Sequence, residues 1–396
     1  MANVNEMNFE QASQVLNSIK TMVTGQEGIA PINSGEFTSV AQTTLLAGLD
    51  PVMNCITQVL NKSIVSERPY TRKFEGLQVD SMRYGAIARK FSFVDLPYEE
   101  SKQFDLEDGT SVDMYTIRKK IPVQTNFYGA VEYQYHETIT KDQLYNAFRN
   151  AEEFAEFMSG MAQNFANVRE QNRENQSRIV IANLITGRIA GASEDIAPES
   201  VVHLITEYNQ AVGGSYDFTS IKAPDVYPAF CKWAYARIEK LCKLMTERSE
   251  MYQTVIEGKP VNRHTDRSLQ RLYVMNEDLD EMTARVLTDT FHPNFLNMSV
   301  TEGVNYWQSI RTPDEIQAKP CYMLTNGSVK TASEVITASH VFGVITDRDS
   351  AGLTFVNEET VNTPYNPRGK YWNMWHTGTF KWWNDFTEKS IVLLLD

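Results

Sequence analysis

The sequence predicts an α+β fold organised around one long helix. Apolar residues recur from Leu144 to Phe165 at spacings of 4, 3, 4, 3, 4 and 3 residues, which is the period of a helix. Residues 131–136 alternate between apolar and polar, which is the period of a half-buried strand. The chain then closes on an apolar run at 391–395. Because chain ends fray unless they are packed, this run predicts a strand held by an element formed earlier.

Composition limits the classes of protein to which the chain can belong. Its 42% hydrophobic and 22% charged residues are values of a folded globular protein, and 396 residues are enough for two or more subdomains. The net charge of −13 and the absence of a basic run longer than residues 118–120 disfavour specific nucleic-acid binding. No apolar stretch has the length of a membrane span, and the first residues do not resemble a secretory signal. Four scattered cysteines predict reduced, buried thiols of an intracellular protein.

The first 62 residues predict helices joined by a flexible segment. A short helix is expected from Phe9 to Met22, followed by loop chemistry up to residue 36. Residues 38–62 have helical spacing, with a break or restart at Asp50-Pro51 because proline suits a first helical turn.

Residues 68–137 predict a long β-excursion. Asp108-Gly109 is a strong hairpin signal, and Val112 to Ile117 are rich in strand-forming residues. So long a hairpin has little core of its own, and isolated hairpins are marginal in water. We therefore expect support from outside the local chain, through charged residues crowded near the tip or lying towards the base. The candidate contact residues are Glu99, Glu100, Asp105, Glu107, Asp108, Arg118, Lys119 and Lys120.

The long helix is predicted to begin at a capping box formed by Thr140 and Gln143 and to stop at Gly187. Its apolar stripe weakens through residues 173–177 and resumes at Ile179. Unbroken, it would be roughly 69 Å long, whereas a compact globule of this size is roughly 55 Å across. The sequence therefore predicts a plate or wedge with a helical spine.

The remaining elements mix helices and strands. Helices are expected at 199–212 and 225–247, short strands at 271–275 and 284–288, and mostly strand from Ser339 onwards. Four of the six tryptophans fall within residues 372–396. In so acidic a chain they favour core or subunit-interface packing over stacking on bases.

The chain has few patterns typical of a catalytic site. Residues 263–268 hold His, Asp and Ser too close in sequence for a triad, so they predict a polar loop. Asp347 and Asp349 are expected to cap a strand-to-turn step with Arg348 as counter-charge, although with His340 they could form a carboxylate-dependent hydrolase site. The acidic residues at 278–281 lack the glycine and spacing of an EF-hand. We expect no catalytic residue, no metal site and no cofactor.

Several segments, taken in order, resemble the major capsid proteins of tailed bacteriophages, which have the HK97-type fold. They are MTERS (245–249), GKPVNRHT (258–265), FGVITDRDSAG (342–352), TPYNPRGKYWN (363–373) and NDFTEKSIVLLL (384–395). The order of elements resembles that family across most of the chain. The resemblance implies five regions, which are an N-terminal arm and helix (1–66), an E-loop (67–139), the spine helix of a P-domain (140–190), an A-domain (191–338) and C-terminal strands returning to the P-domain (339–396).

The resemblance also implies function and partners. It implies a structural protein, not an enzyme, that self-assembles as hexamers and pentamers into an icosahedral shell around double-stranded DNA, without sequence-specific contact. The shell would be a virion capsid assembled in the host cytoplasm with a portal, and no membrane would take part. A separate scaffolding protein is expected, because the 37 residues before the first strong helix are too few for a cleaved scaffolding segment.

Three alternatives stay open from the sequence. One is an encapsulin-like nanocompartment shell, which shares the fold but is built from shorter chains. Another is the hydrolase that uses Asp347, Asp349 and His340. The third is a different virion part, such as a portal or tail protein, although portals are mostly helical and larger.

Overall fold

The structure, a computed structural model, describes residues 9–25, 30–62, 70, 72–79, 88–96, 98–127, 129–258, 261–289 and 301–396. Eight α-helices lie in these ranges: α1 (Phe9–Thr24), α2 (Ser34–Leu46), α3 (Leu49–Lys62), α4 (Lys141–Ala147), α5 (Ala151–Ser193), α6 (Leu204–Val212), α7 (Tyr227–Leu244) and α8 (Asn276–Asp289). The strands in the same ranges are β1 (Ala88–Phe93), β2 (Pro122–Phe127), β3 (Gly129–Thr140), β4 (Val201–His203), β5 (Gln270–Met275), β6 (Glu302–Val304), β7 (Ile316–Ala318), β8 (Cys321–Met323), β9 (Val329–Thr331), β10 (Ile336–Ala338), β11 (Val341–Asp347), β12 (Ala351–Asn362), β13 (Tyr371–Asn384) and β14 (Ser390–Leu394).

The N-terminal helices form a small bundle against the beginning of the spine. Asn33 caps α2 by accepting a hydrogen bond from the Glu36 backbone N–H at 2.9 Å. The helix then restarts as α3, whose first turn holds Asp50 and Pro51, so the predicted restart is confirmed. Buried side chains join the three helices to α5 and β13. They include Leu16, Ile19, Phe37, Val52, Phe154 and Trp372.

The spine is two helices and not one. The capping box at Thr140 is confirmed, but the helix it opens, α4, ends at Ala147. The Asn150 side chain accepts a hydrogen bond from the Glu153 backbone N–H at 2.8 Å and so caps a new helix, α5. With 43 residues, α5 is about 64 Å long. It still exceeds the diameter of about 55 Å expected for a compact globule of this size.

The predicted stop at Gly187 is wrong, since α5 continues to Ser193. Gly187 is there because of packing: a Cβ at this position would lie 2.6 Å from Cζ of Phe386. The polar stretch at 173–177 does not break the helix either. Glu174 in this stretch forms a buried i,i+4 ion pair with Arg178 of the same helix at 2.7 Å.

Two sheets flank the spine. The first is antiparallel with strand order β12-β13-β3, and its inner face packs on α5. The second has five strands in the order β4-β14-β11-β5-β6, with parallel pairing at β4-β14 and β5-β6. Every residue of β11 and β14 is buried, as expected for the central strands of a covered sheet. Helices α6, α7 and α8 contribute to the core on one side of this sheet.

The tryptophan-rich segment and the final strand lie in different sheets. Trp372 is on β13 and is fully buried, with Nε1 donating to Asp50 Oδ1 at 2.6 Å. The final strand β14 lies between β11 and β4. The backbone carbonyl of Asp396 accepts a hydrogen bond from the Thr206 N–H at 3.0 Å, which ties down the chain end.

Three further expectations were wrong in part or in full. Residues 201–203 form β4, so the expected helix at 199–212 begins only at Leu204. Residues 284–288 belong to α8, whose first turn holds Glu277 and Asp278, the charge that a helix N-terminus favours. The stretch from Val112 to Ile117 forms no strand. The helix expected at 225–247, the strand at 271–275 and the strands after Ser339 are confirmed.

Cysteine burial follows the sequence expectation with one exception. All four thiols are free, and Cys55, Cys231 and Cys242 are buried, but Cys321 is only half-buried.

Among the described residues, no helix is both long and apolar enough to span a lipid bilayer.

Candidate assembly surface

Strands β1 and β2 form an antiparallel ribbon from which an arm extends. Their register runs from Ala88 opposite Phe127 to Phe93 opposite Pro122, and Val94 N–H donates to the Ile121 carbonyl at 3.0 Å beyond it. The arm comprises residues 98–121, and every side chain described in it is exposed. Its described residues form no strand, and none of its described side chains is buried. Apolar side chains are nonetheless frequent in it, namely Tyr98, Leu106, Val112, Met114, Tyr115, Ile117 and Ile121.

The far end of the arm is a tight turn. Thr110 N–H donates to the Glu107 carbonyl at 3.2 Å, and Gly109 has φ of 86°, a conformation that favours glycine. The turn expected at Asp108-Gly109 is therefore present, but the β-hairpin expected around it is wrong in part, because residues 98–121 form no strand. The turn places the carboxylates of Glu107 and Asp108 at the apex, both exposed.

Among the predicted contact residues whose side chains the structure describes, one pair is brought together. Arg118 and Glu99 form an ion pair across the arm. Five others are exposed and have no ion pair within the part of the chain that the structure describes; they are Glu100, Glu107, Asp108, Lys119 and Lys120. The side chain of Asp105 lies outside the described residues. Their role in subunit contact stays a prediction.

One face of the ribbon is fixed to the body of the subunit. Lys90 Nζ lies 2.6 Å from Asp385 Oδ2 and also contacts the Glu388 carboxylate. Arg263 donates to the Ser92 hydroxyl at 2.6 Å and lies 3.4 Å from Glu388. We call these five residues the ribbon anchor. Asp385 is fully buried and Glu388 nearly so, so the ribbon supplies the cation that these carboxylates need.

Burial dominates the electrostatics of the ribbon anchor. It raises the pKa of Glu388, while the neighbouring Lys90 and Arg263 act in the opposite direction. Beside it, burial lowers the pKa of Lys389 to about 8, although its ammonium donates to the Glu247 carbonyl at 2.9 Å and to the Ser249 hydroxyl at 2.8 Å.

The other face of the ribbon is apolar and exposed. Phe91 and Phe93 are 61% and 58% exposed, whereas Ser92 and Val94 between and beside them are buried. In this strand the aromatic side chains therefore face outward and the smaller side chains face the body, which is the reverse of a strand that buries its aromatic residues. Sequence reasoning missed both this face and the ribbon anchor. The sequence signal for the ribbon anchor was the group of charged residues at 384–390, which interrupts the mainly apolar C-terminal part of the chain.

The residues that could form a hydrolase site do not converge. His340 immediately precedes β11 and Asp347 is the last residue of that strand, which places them about 20 Å apart along it. His340 Nδ1 lies 2.8 Å from Asp314 Oδ2, and its ring stacks on Phe218 at 3.7 Å. Their separation leaves no common pocket for a reaction.

The turn after β11 is a structural cap. Asp347 accepts hydrogen bonds from the Thr265 hydroxyl at 2.7 Å and from the Asp349 N–H at 2.8 Å. Arg348 lies 3.2 Å from Asp349, so the predicted capping with an internal counter-charge is confirmed.

The other two candidates also have structural partners. Residues 263–268 form a polar loop, as predicted, in which Arg263 belongs to the ribbon anchor. Asp278 lies 3.6 Å from Lys222. Within the described ranges, no group of three His, Cys, Asp or Glu side chains is placed to hold a metal ion.

A scan of family models identifies the chain. The model of the Phi29-like phage major capsid protein matches residues 6–389. The chain belongs to this family. This protein is therefore a capsid shell protein that assembles with copies of itself and is located in the virion.

One solved structure shares the fold of this capsid protein. A chain from the structure of the head fiber and inner core protein gp22 of native bacteriophage P68 is 9% identical, with a TM-score of 0.55, covering 84% of this chain and 87% of that one. A chain from the capsid of Staphylococcus phage Andhra is 11% identical, with a TM-score of 0.46, covering 82% and 84%. The likeness to the bacteriophage P68 chain supports the predicted HK97-like fold of the capsid protein. No curated protein sequence matches it.

Proposed function

We propose that the arm, residues 98–121, is the part of this capsid protein that binds a neighbouring copy in the shell. The observation that carries the proposal is that every described side chain of the arm is exposed, although many are apolar. Exposed apolar surface of this extent is typical of a binding site.

The ribbon explains how the arm is presented. Lys90 and Ser92 hold the inner face of the ribbon on the body, so the arm leaves from a fixed base. Phe91 and Phe93 on the outer face continue the apolar surface of the arm. A neighbouring copy that covers this surface would supply the stability that an isolated hairpin lacks.

The proposal extends to the contents and partners of the shell. We infer that the protein is the major coat of a closed icosahedral shell of hexamers and pentamers around double-stranded DNA. The net charge of −13 supports packaging without sequence-specific contact, since few cations are available to neutralise phosphates. We also infer a separate scaffolding protein, a portal, and assembly in the host cytoplasm.

We propose the same division of the chain that the sequence suggested. It assigns 1–66 to the N-terminal arm and helix, 67–139 to the E-loop, 140–190 to the spine, 191–338 to the A-domain and 339–396 to returning strands. The continuous helix from Ala151 to Ser193 supports a separate spine, and the pairing of β3 with β13 supports a return of the chain to it.

We infer that the protein is not an enzyme. The separation of His340 from Asp347 and the structural partners of each support this inference. No observation favours the hydrolase or the nanocompartment.

Deletion of residues 99–110 tests the role of the arm. Because the deleted side chains described are exposed, the unassembled variant should keep the circular dichroism and thermal unfolding of the full chain. Its yield of shells, counted by negative-stain electron microscopy with the scaffolding partner present, should fall sharply. A matched control deletes residues 326–328, an exposed turn between β8 and β9.

Two results would contradict the proposal. One is an isolated variant that fails to fold, which would mean that the arm stabilises its own subunit. The other is a normal yield of shells from a folded variant.

A further inference from the structure

A cleft separates the spine from the edge of the three-stranded sheet. It lies between β3 and β13 on one side and the middle of α5 on the other, with a volume of about 200 Å³. Its walls include Tyr135, Phe165, Arg169, Asn172 and His376. We call it the spine cleft. It is large enough for the end of one side chain.

His376 gives the spine cleft an unpartnered polar atom. The side chain is 6% exposed, its Nδ1 lies 3.0 Å from the Thr360 hydroxyl, and its ring packs edge-on against Phe165 at 4.9 Å. Its Nε2 is buried and has no hydrogen-bond partner among the described residues. We assign the proton to Nε2, with the Thr360 hydroxyl donating to Nδ1, and this tautomer makes Nε2 a hydrogen-bond donor. Burying a donor without a partner costs free energy, which a bound acceptor would recover.

The charge state of His376 fits a neutral donor. Burial has the largest influence on the pKa of His376 and lowers it. The charges of Arg169 and Arg173 lower this pKa further, whereas the charge of Glu358 raises it. The ring is therefore uncharged at neutral pH, and the positive charge of the spine cleft comes from arginine.

Arg169 is that unpaired cation. One turn further along α5, Arg173 pairs with Glu170 at 3.0 Å and with Glu358 at 2.9 Å. Arg169 has no ion pair in the described ranges, and its Nε is buried without a hydrogen-bond partner. A guanidinium and a neutral imidazole N–H in one cleft form a donor set for a carboxylate, which arginine binds through two hydrogen bonds.

We propose that the spine cleft receives a carboxylate from the turn Glu107–Thr110 of a second copy of this chain. This inference rests on the proposed role of the arm. The turn is narrow, fully exposed and placed at the far end of the arm, and it carries Glu107 and Asp108 without a cation partner in the described ranges. Arg169 supplies the complementary charge in a chain whose net charge is −13.

Charge reversal tests the pairing through shell yield. Arg169→Glu alone, and Glu107→Lys with Asp108→Lys, should each lower the yield about tenfold or more, because like charges then meet. Combining the three changes should restore most of the yield. Arg311→Glu, at an exposed turn, is the matched control and should leave the yield unchanged. Absence of rescue from folded subunits would overturn the proposal.

A cross-link tests the same contact without altering Arg169. Asp108→Cys and Asn172→Cys together should give a disulfide between subunits in assembled shells, identified by peptide mass spectrometry. The pair Asp108→Cys and Gln308→Cys is the control, since Gln308 is exposed and does not line the spine cleft. Shells that form without a 108–172 link would overturn the proposal, even if Arg169→Glu does not fold.

The two proposals fail in distinguishable ways. If deletion of 99–110 abolishes assembly while charge reversal at Arg169 changes nothing, the arm binds a neighbour elsewhere and the spine cleft is not its receptor. If the deletion has no effect on assembly, the proposed role of the arm itself is wrong.

Discussion

The ammonium of Lys90 lies 2.6 Å from the carboxylate of Asp385, which is 295 residues later in the chain. Asp385 is fully buried and also accepts hydrogen bonds from the Thr387 N–H at 2.9 Å and hydroxyl at 2.6 Å. The ribbon thus neutralises a charge inside the subunit, while its arm, residues 98–121, stays exposed. A fixed base with an exposed end is what a shell subunit needs to direct an arm at a neighbour.

Loss of the Lys90 ammonium should release the ribbon. Lys90→Met leaves Asp385 and Glu388 without their main cation, which should lower the free energy of unfolding by about 3 kcal/mol. Hydrogen–deuterium exchange of the unassembled subunit should accelerate across 88–96 and 121–127. Arg89→Met, at an exposed position on the same strand, is the control and should change stability by less than about 0.5 kcal/mol. Equal exchange in both variants would show that the anchor does not hold the ribbon.

Two glycines of α5 should respond in opposite directions to alanine. A Cβ at Gly187 would lie 2.6 Å from the Phe386 ring, so Gly187→Ala should destabilise the subunit by about 1–3 kcal/mol. Gly160 has nothing within 4 Å, so Gly160→Ala should stabilise it by about 0.5–1 kcal/mol through helix propensity. Chemical denaturation measures both. Stabilisation by Gly187→Ala would mean that Phe386 does not pack as described.

Stability should rise with pH above neutrality because of Lys389. Its pKa is about 8 in the folded chain, below the ordinary value of 10.5, so between these values the unfolded chain binds more protons. The free energy of unfolding therefore increases with pH across that window, as the buried charge is lost. Denaturation from pH 7 to 10.5 should show this slope, and Lys389→Met should remove it. Lys119→Met, at an exposed position, should retain the slope. A slope unchanged by Lys389→Met would contradict the assignment.

The two aspartates after β11 should differ in their contribution to stability. Asp347 is buried and accepts two hydrogen bonds, so Asp347→Ala should cost about 2–3 kcal/mol. Asp349 is exposed, so Asp349→Ala should lower the free energy of unfolding by less than about 0.5 kcal/mol. Thermal unfolding distinguishes them. A metal-dependent hydrolytic activity lost in the double variant would contradict the structural role.

Local patterns in the sequence predicted most of the elements. The stripe from Leu144 to Phe165 and the alternation at 131–136 identified the spine and β3, because each reflects burial on one face. The capping box at Thr140 was right about where a helix starts. It could not show that Asn150 caps a second helix three residues after the first one ends.

Features that depend on distant contacts could not be predicted. Gly187 suggests a helix end unless Phe386, far along the chain, is known to pack on it. Residues 284–288 form a short, mainly apolar segment. A segment of this kind occurs in both helices and strands, so its pattern does not distinguish the two. The ribbon anchor joins Lys90 to Asp385, and no local pattern reports such a pairing. The sequence did predict a long excursion that needs support from outside the local chain, because so long and so charged a segment has little core of its own.

Cryo-electron microscopy of assembled shells would show where the arm of each subunit lies. We expect a closed shell in which residues 98–121 of each subunit lie on an adjacent copy, with Lys90 still bound to Asp385 in its own subunit. An arm folded back on its own subunit, or a protein that stays monomeric when the proposed scaffolding protein is present, would show that the arm does not join neighbouring copies.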